Sequence, residues 1–343
     1  MLKKLTTALA SIAVVASAGL LGPAAVAGET VSASGATYTA ILQKECTAAY
    51  TEHTVVYAGG GSGTGKSQFA AGIVDWAGTD SLYAAGTAPK NFVYIPIIGG
   101  PIVLMYNIPG VTRLNLTPEI ISGIYKGTIT KWNDAKIVAA NKTAKLPNET
   151  IQGVYRSDNS GTSNNFANYL YQTVSKTDWK VNDSFATAKG NSTGIGAAKA
   201  SGVTATVKST LYSIGYADLA DAQTSGLPTA YIKNGAGQFI APKVNNANKF
   251  LAAQLLKSNG QVVFDYKKKV SGGYPIVLVS YALGHTKSSA LSGTNRPAKV
   301  AAAKAYLSYF VNTCAPAKAA ALGYVPLSGS MLKAANVNIA KIK

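Results

Sequence analysis

Four short segments of this chain combine glycine, hydroxyl groups and charge in the way that binding a small oxyanion requires. In Ser34-Gly35-Ala36-Thr37-Tyr38, small residues let backbone amides approach a ligand, and Thr37 adds a hydroxyl donor. Gly60-Gly61-Ser62-Gly63-Thr64-Gly65-Lys66-Ser67 satisfies the phosphate-loop pattern GxxxxGK[ST] letter for letter. Gly78-Thr79-Asp80 supplies an acceptor, useful only toward an oxyanion that still carries a proton. Arg156-Ser157-Asp158-Asn159-Ser160-Gly161-Thr162-Ser163 packs a guanidinium, hydroxyls and a helix start into one loop. The planar fork of Arg156 can hold two oxygens of an anion, and Asp158 is spaced to hold the arginine in pose. Each segment also has a plain reading by itself: a turn, a bare loop, a helix cap, a capping box with an incidental arginine.

The elements that must position these segments follow an α/β pattern, in which β-branched or aromatic runs alternate with Ala-rich helical stretches. Strands are expected at Thr54–Tyr57, Ile102–Tyr106, Ile151–Tyr155, Leu211–Tyr216 and Ile276–Tyr281. A helix should follow the first of these through Gln68, Phe69, Ile73 and Trp76. Others should start at Thr117-Pro118-Glu119, run from about Thr162 to Thr173, and occupy Ala247–Lys257 and Ala298–Thr313. At each strand-to-helix junction, backbone N–H groups lack intrahelical acceptors and the dipole end is positive. A small anion satisfies both.

Residues 1–27 read as a secretory leader: Lys3 and Lys4, an apolar run from Leu9 to Leu21, and Ala25-Val26-Ala27 as a small-x-small cut before Gly28. An uncleaved anchor is the alternative, although the apolar run is short for a membrane span. The net charge of +18 permits anionic partners, yet no recognisable nucleic-acid module interleaves its basic residues with aromatics. Cys46 and Cys314 are too few for a structural zinc site, and an oxidising compartment favours their pairing, with buried free thiols as the alternative. Against a nucleotide site stand the expected export, the scarcity of acids to hold magnesium, and the lack of a later apolar strand ending in the required Asp.

Taken in order, SGATY, GGGSGTGK-QF, GTD, RSDNSGTS and Ser213-Ile214-Gly215-Tyr216 resemble the periplasmic phosphate-binding proteins of the Pst-type ABC transporters. Gly99-Gly100, Asn107-Ile108-Pro109-Gly110 and Ile124-Tyr125-Lys126-Gly127-Thr128-Ile129-Thr130-Lys131-Trp132 support the likeness, which covers nearly the whole chain after the leader. The resemblance implies a two-lobe periplasmic-binding-protein fold of type II with two crossing hinge strands. Lobe I would take residues 28–107 and 273–343, and lobe II residues 108–272. It further implies that inorganic phosphate is held by hydrogen bonds alone, without metal or cofactor. The ligands would be Thr37, the amide of Tyr38, Ser62 and Asp80 from one lobe, with Arg156, Asp158, Ser160, Gly161 and Thr162 from the other. Lys66 has no counterpart among those ligands, so the phosphate-loop match would be a coincidence of spelling. The implied role is that of a monomeric, non-enzymatic periplasmic carrier that hands phosphate to permease subunits in the inner membrane.

Two other classes compete. A hydrolase, whether a P-loop ATPase or a secreted phosphatase, would need a metal cluster or a nucleophile–base pair, and the two histidines, His53 and His285, sit in no such pattern. A binder of a different oxyanion, or an adhesive surface protein, would keep the fold and change the partner.

Overall fold

The computed structural model describes residues 28–191 and 193–343; the expected leader lies outside them. The chain enters through β1 (Thr30–Gly35), a 3-10 turn (Thr37–Thr39) and α1 (Ala40–Ala49), then β2 (Thr54–Ala58), α2 (Ser62–Ala70) and β3 (Trp76–Thr79). Next comes the long β4 (Phe92–Asn107), followed by α3 (Pro118–Lys126), β5 (Gln152–Arg156), α4 (Gly161–Thr173), β6 (Ile195–Ala197), α5 (Lys199–Ser209) and β7 (Ser213–Asp218). The last third holds α6 (Val244–Ala252), β8 (Val277–His285), α7 (Arg296–Tyr309) and α8 (Gly329–Ala340).

The eight strands form one sheet in the order β2-β1-β3-β8-β4-β7-β5-β6. Its flanks are parallel, β2-β1-β3 on one side and β7-β5-β6 on the other. Between them β8 and β4 run antiparallel. β4 serves both halves: Phe92 to Pro101 pair with β8, and Ile102 to Asn107 pair with β7. At the change of partner, Ile102 N donates to Ile276 O over 2.8 Å, so the chain passes between the halves twice at one level. Pro96 fits inside this strand because the ladder shifts register opposite Ser280 and Tyr281, and Pro101 stands where the strand changes partner.

Sequence and structure part in two places. The helix after the glycine-rich loop ends at Ala70, and Trp76 opens a strand instead of extending that helix. Gly72 adopts φ +68°, a left-handed conformation that ends a helix, and the indole of Trp76 is fully buried against the sheet. α6 likewise stops at Ala252, and Leu255–Leu256 turns back to pair with Val262–Val263. By contrast, α3 begins as its residues dictate: Thr117 accepts from Ile120 N over 3.3 Å, Pro118 opens the helix and Gly127 ends it at φ +77°. β4 extends further toward its N-terminus than the Ile102–Tyr106 run.

Cys46 of α1 and Cys314, just beyond α7, form a disulfide with Cα atoms 5.8 Å apart and a sequence separation of 268. They lie in the apolar layer beneath the β1–β3 flank, near Trp76, Tyr306 and Phe310. Constraining so long a loop in the unfolded chain should stabilise the fold by about 3–5 kcal/mol in the loop-entropy treatment. The double variant Cys46→Ala/Cys314→Ala should therefore lose that amount in urea unfolding of the oxidised protein; a change of only a few tenths would remove the bond from the stabilising set.

Candidate anion-binding site

All four glycine- and hydroxyl-rich segments meet at the C-terminal ends of strands on the two sides of β4 and β8. Ala36 N donates to Gly78 O (2.9 Å) and Gly61 N to Gly35 O (2.8 Å), which ties the first three segments together. The fourth arrives from the other half of the sheet: Gly63 N donates to Asn159 O over 3.1 Å. Two glycines make this approach possible. A Cβ on Gly161 would lie 2.6 Å from Ser62 Oγ and 2.7 Å from Asp80 Cβ. At Gly61 the φ of +91° excludes most side chains, and a Cβ would lie 2.7 Å from Asp158 Oδ2.

Three helical N-termini therefore come together, those of the Thr37 turn, of α2 at Ser62 and of α4 at Gly161. The first N–H groups of each lack intrahelical acceptors. Ser160 caps α4, its Oγ accepting from Ser163 N over 3.2 Å. Thr37, Ser62, Asp80, Arg156, Ser160 and Thr162 are all buried. The Tyr38 ring is buried too and points away, its hydroxyl toward Pro101 O, while Tyr324 donates to the Tyr38 carbonyl over 2.9 Å. That leaves the Tyr38 backbone to serve at the helix start.

Charge is arranged in two opposed pieces. The Arg156 guanidinium, 2 % exposed, donates from Nε to Asp158 Oδ1 (2.7 Å) and from Nη2 to Asp158 Oδ2 (2.5 Å). Burial pushes the Asp158 carboxyl up, but the hydrogen bonds and charge of Arg156 outweigh it and hold it below the ordinary range. Lys199 N also donates to Asp158 Oδ1, at 2.9 Å. Asp80 behaves differently. Its N–H donates to Ser62 Oγ (3.1 Å), its carbonyl accepts from Asn165 Nδ2 (2.6 Å), and its Oδ2 accepts from Thr162 Oγ1 (3.2 Å). Oδ1 of Asp80 and Oγ1 of Thr37 are buried without a protein partner. Burial pushes the Asp80 carboxyl up to about 6. Ser280, Thr162 and Arg156 oppose that rise, although neither Ser280 Oγ nor Asp80 Oδ1 closes a hydrogen bond.

The GxxxxGKS stretch does not wrap as a nucleotide loop would. α2 has begun by Ser62, so Gly65, Lys66 and Ser67 already lie inside the helix. Lys66 instead reaches across the junction, with Nζ 2.7 Å from Asp183 Oδ2 and 3.0 Å from Ser81 Oγ. Asp183 is held in turn by Asn164 Nδ2 (3.0 Å), and its carbonyl accepts from Ser160 N (3.0 Å). A cavity of about 630 Å³ opens beside this pair and Asp80, outside the group of helix starts. Neither Asp183 nor Asn165 carries a sequence signal. They lie 117 and 85 residues from the partners they meet, and Tyr216, which joins Ser163 Oγ at 2.6 Å, was readable only as part of the SIGY match.

Comparison with known proteins identifies the family. The family model described as PBP superfamily domain matches residues 13–313. The phosphate-binding protein PstS of Pasteurella multocida is 31% identical over 317 residues, covering 89% of this chain and 88% of its own. The chain belongs to the PstS phosphate-binding-protein family. PstS 3 of Mycobacterium leprae is 35% identical over 274 residues, covering 74% of this chain and 73% of its own length. A solved phosphate-binding protein from Stenotrophomonas maltophilia superposes with a TM-score of 0.69 at 20% identity, covering 90% of this chain and 93% of its own, a likeness of fold. The architecture is accordingly the two-lobe type II binding-protein fold of the PstS family, built on one curled sheet.

Asp80 yields a pH signature. Its folded carboxyl keeps a proton to higher pH than the unfolded one, so its contribution to stability is present below about pH 4 and lost as the pH rises through about 6. In anion-free buffer, Asp80→Asn should remove that decline. The variant should gain on the wild type between pH 4 and 7, by on the order of 2–3 kcal/mol at most. Parallel melting curves across this range would rule the buried carboxyl out as the cause.

Proposed function

We propose that this chain is the substrate-binding component of a phosphate ABC importer, a carrier and not an enzyme, that holds inorganic phosphate between its two lobes. The observation that carries the reading is the buried pair of unpartnered oxygens, Thr37 Oγ1 and Asp80 Oδ1, set among three helix starts and the Arg156–Asp158 pair. A ligand that both accepts and donates would satisfy the two together. Hydrogen phosphate accepts from the amide of Tyr38, from Thr37, Ser62, Ser160, Gly161 and Thr162 and from Arg156, and it donates its proton to Asp80. Asp158 orients the arginine. The names of the PstS relatives point to the same ligand.

Lobe I comprises residues 28–107 with 273–343 and lobe II residues 108–272, a division supported by the change of partner along β4 and its pairing with Ile276. Closure brings Gly161 and Thr162 onto Asp80 and completes the cage, and Lys66–Asp183 bridges the lobes at its edge. The leader cut near Ala27 releases a monomeric periplasmic protein, and the partner for delivery is the permease in the inner membrane. Among the described residues no helix is long and apolar enough to cross a membrane.

Calorimetry on protein freed of bound anion tests the reading. Phosphate and arsenate should bind, and sulfate should fail at millimolar concentration, because Asp80 would face only lone pairs; a site with an unsatisfied buried group rejects such an analogue by about 10⁴ or more. Asp80→Asn should narrow the gap. Arg156→Ala should weaken phosphate by about 2–5 kcal/mol, more than Ser62→Ala. Equal affinity for sulfate and phosphate would defeat the ligand assignment. At the edge of the cage, Lys66→Met should speed phosphate release by about fivefold through loss of the bridge. ATP turnover that depended on Lys66 would instead favour the hydrolase.

A further inference from the structure

Charge is divided unevenly along this chain. Residues 28–221 hold fifteen Lys or Arg against thirteen acids, whereas residues 222–343 hold fifteen against one, Asp265. That single carboxylate is occupied locally, accepting from the backbone of Lys267 over 3.1 Å. Among the described residues only Lys318 of this basic set forms an ion pair, with Glu45. An excess of one sign repels itself and opposes folding, and surface carboxylates would relieve it at no steric price. Carrying the imbalance makes physical sense if a dense opposite charge answers it.

The fold gathers these lysines across both halves of the sheet. The turn at Gly235, two residues past the exposed Lys233, packs on the backbone of Lys267, with a Cβ there lying 2.6 Å from Lys267 O. Lys268 Nζ donates to Ala253 O at the end of α6, and Lys249 of α6 lies along Gly272. The hairpin after α6, carrying Lys257, meets α8 where Asn338 Nδ2 donates to Asn259 O over 2.9 Å. α8 adds Lys333, with Lys341 just beyond it. Exposed apolar side chains stand among them: Leu255 is 63% exposed, Val337 51% and Val263 41%.

We propose that this face, made by α6, the following hairpin, the Lys267–Lys269 turn and α8, docks on an anionic phospholipid surface. Three features select a lipid surface over a nucleic acid. The cations are lysines almost throughout, compact charges suited to a diffuse field and not to forked base or phosphate recognition. Aromatic stacking is missing, since Tyr266 beside the lysine run is buried. The exposed Leu255 and Val337 can enter the headgroup region, as apolar residues do on interfacial elements that pair them with lysines. None of the anion-site side chains is among these lysines or belongs to the Leu255–Val337 pair, and the face meets the cavity beside Asp80 only at Val262 and Val263 of the hairpin. A carrier so held would diffuse in two dimensions beside a membrane-bound acceptor.

The test is sedimentation of the chain starting at Gly28, which includes every described residue and no leader, with vesicles of pure phosphatidylcholine or with about 30 % phosphatidylglycerol. Binding should require the anionic lipid and weaken steeply as salt rises to about 0.5 M. Lys267→Glu/Lys268→Glu/Lys269→Glu should weaken it roughly tenfold or more. Leu255→Ser/Val337→Ser should lower the portion that survives high salt. Phosphate affinity and the circular dichroism spectrum should stay unchanged in both, which separates this face from the anion site. Should the triple reversal misfold, Lys267→Gln/Lys268→Gln/Lys269→Gln must show the same direction. Equal binding to both vesicle types, none to either, or complete displacement by single-stranded DNA at matched charge would overturn the proposal.

Discussion

Asp80 is the point on which the two halves of this molecule depend. Its amide, carbonyl and one carboxylate oxygen are spent on Ser62, Asn165 and Thr162, residues drawn from both sides of the long central strand. A buried carboxylate is expensive to desolvate, and here burial raises its pKa to about 6 even with hydroxyls and a guanidinium nearby. The remaining oxygen has no protein partner. The group is thus both a structural tie and an unsatisfied acceptor, and the second property is the one the proposed phosphate ligand would use.

The rest of the site can be understood as what makes that arrangement tolerable. Arg156 and Asp158 neutralise each other at 2.5–2.7 Å, so a full positive charge can sit beneath the surface without an unpaired penalty. Gly61 and Gly161 remove the Cβ atoms that would hold the loops apart. The central strands β4 and β8 supply the frame, and β4 pairs with each half in turn, changing partner between Pro101 and Ile102 beside Ile276. A binding protein needs this separation: stiff lobes, a narrow crossing and most of the binding chemistry in the gap.

Lys66 illustrates how a motif can mislead while its residue still matters. Its letters fit a nucleotide loop, but a phosphate loop requires that the glycines precede the helix, and here five of the eight residues follow the first helical position. The side chain leaves α2 largely buried and meets Asp183, 117 residues away. No spacing rule reports such a contact.

The order of oxyanion loops, the glycines, the strand-to-helix junctions, the start of α3 and the break after Asn107 were all legible in the chain, since each depends on a few neighbouring residues whose backbone preferences are local. Trp76 departs from the helical expectation because a left-handed Gly72 and burial against the sheet override it, and α6 ends early because Leu255–Leu256 pairs back with Val262–Val263. What only the tertiary structure decided is which distant residues share an environment. The pairing of Cys46 with Cys314, the reach of Asn165 to Asp80, the Lys66–Asp183 bridge and the gathering of lysines from separate elements into one face all join residues with no common local pattern. Their energies come from burial and electrostatics, which depend on distance in space, and that distance is set by the packing of the whole sheet.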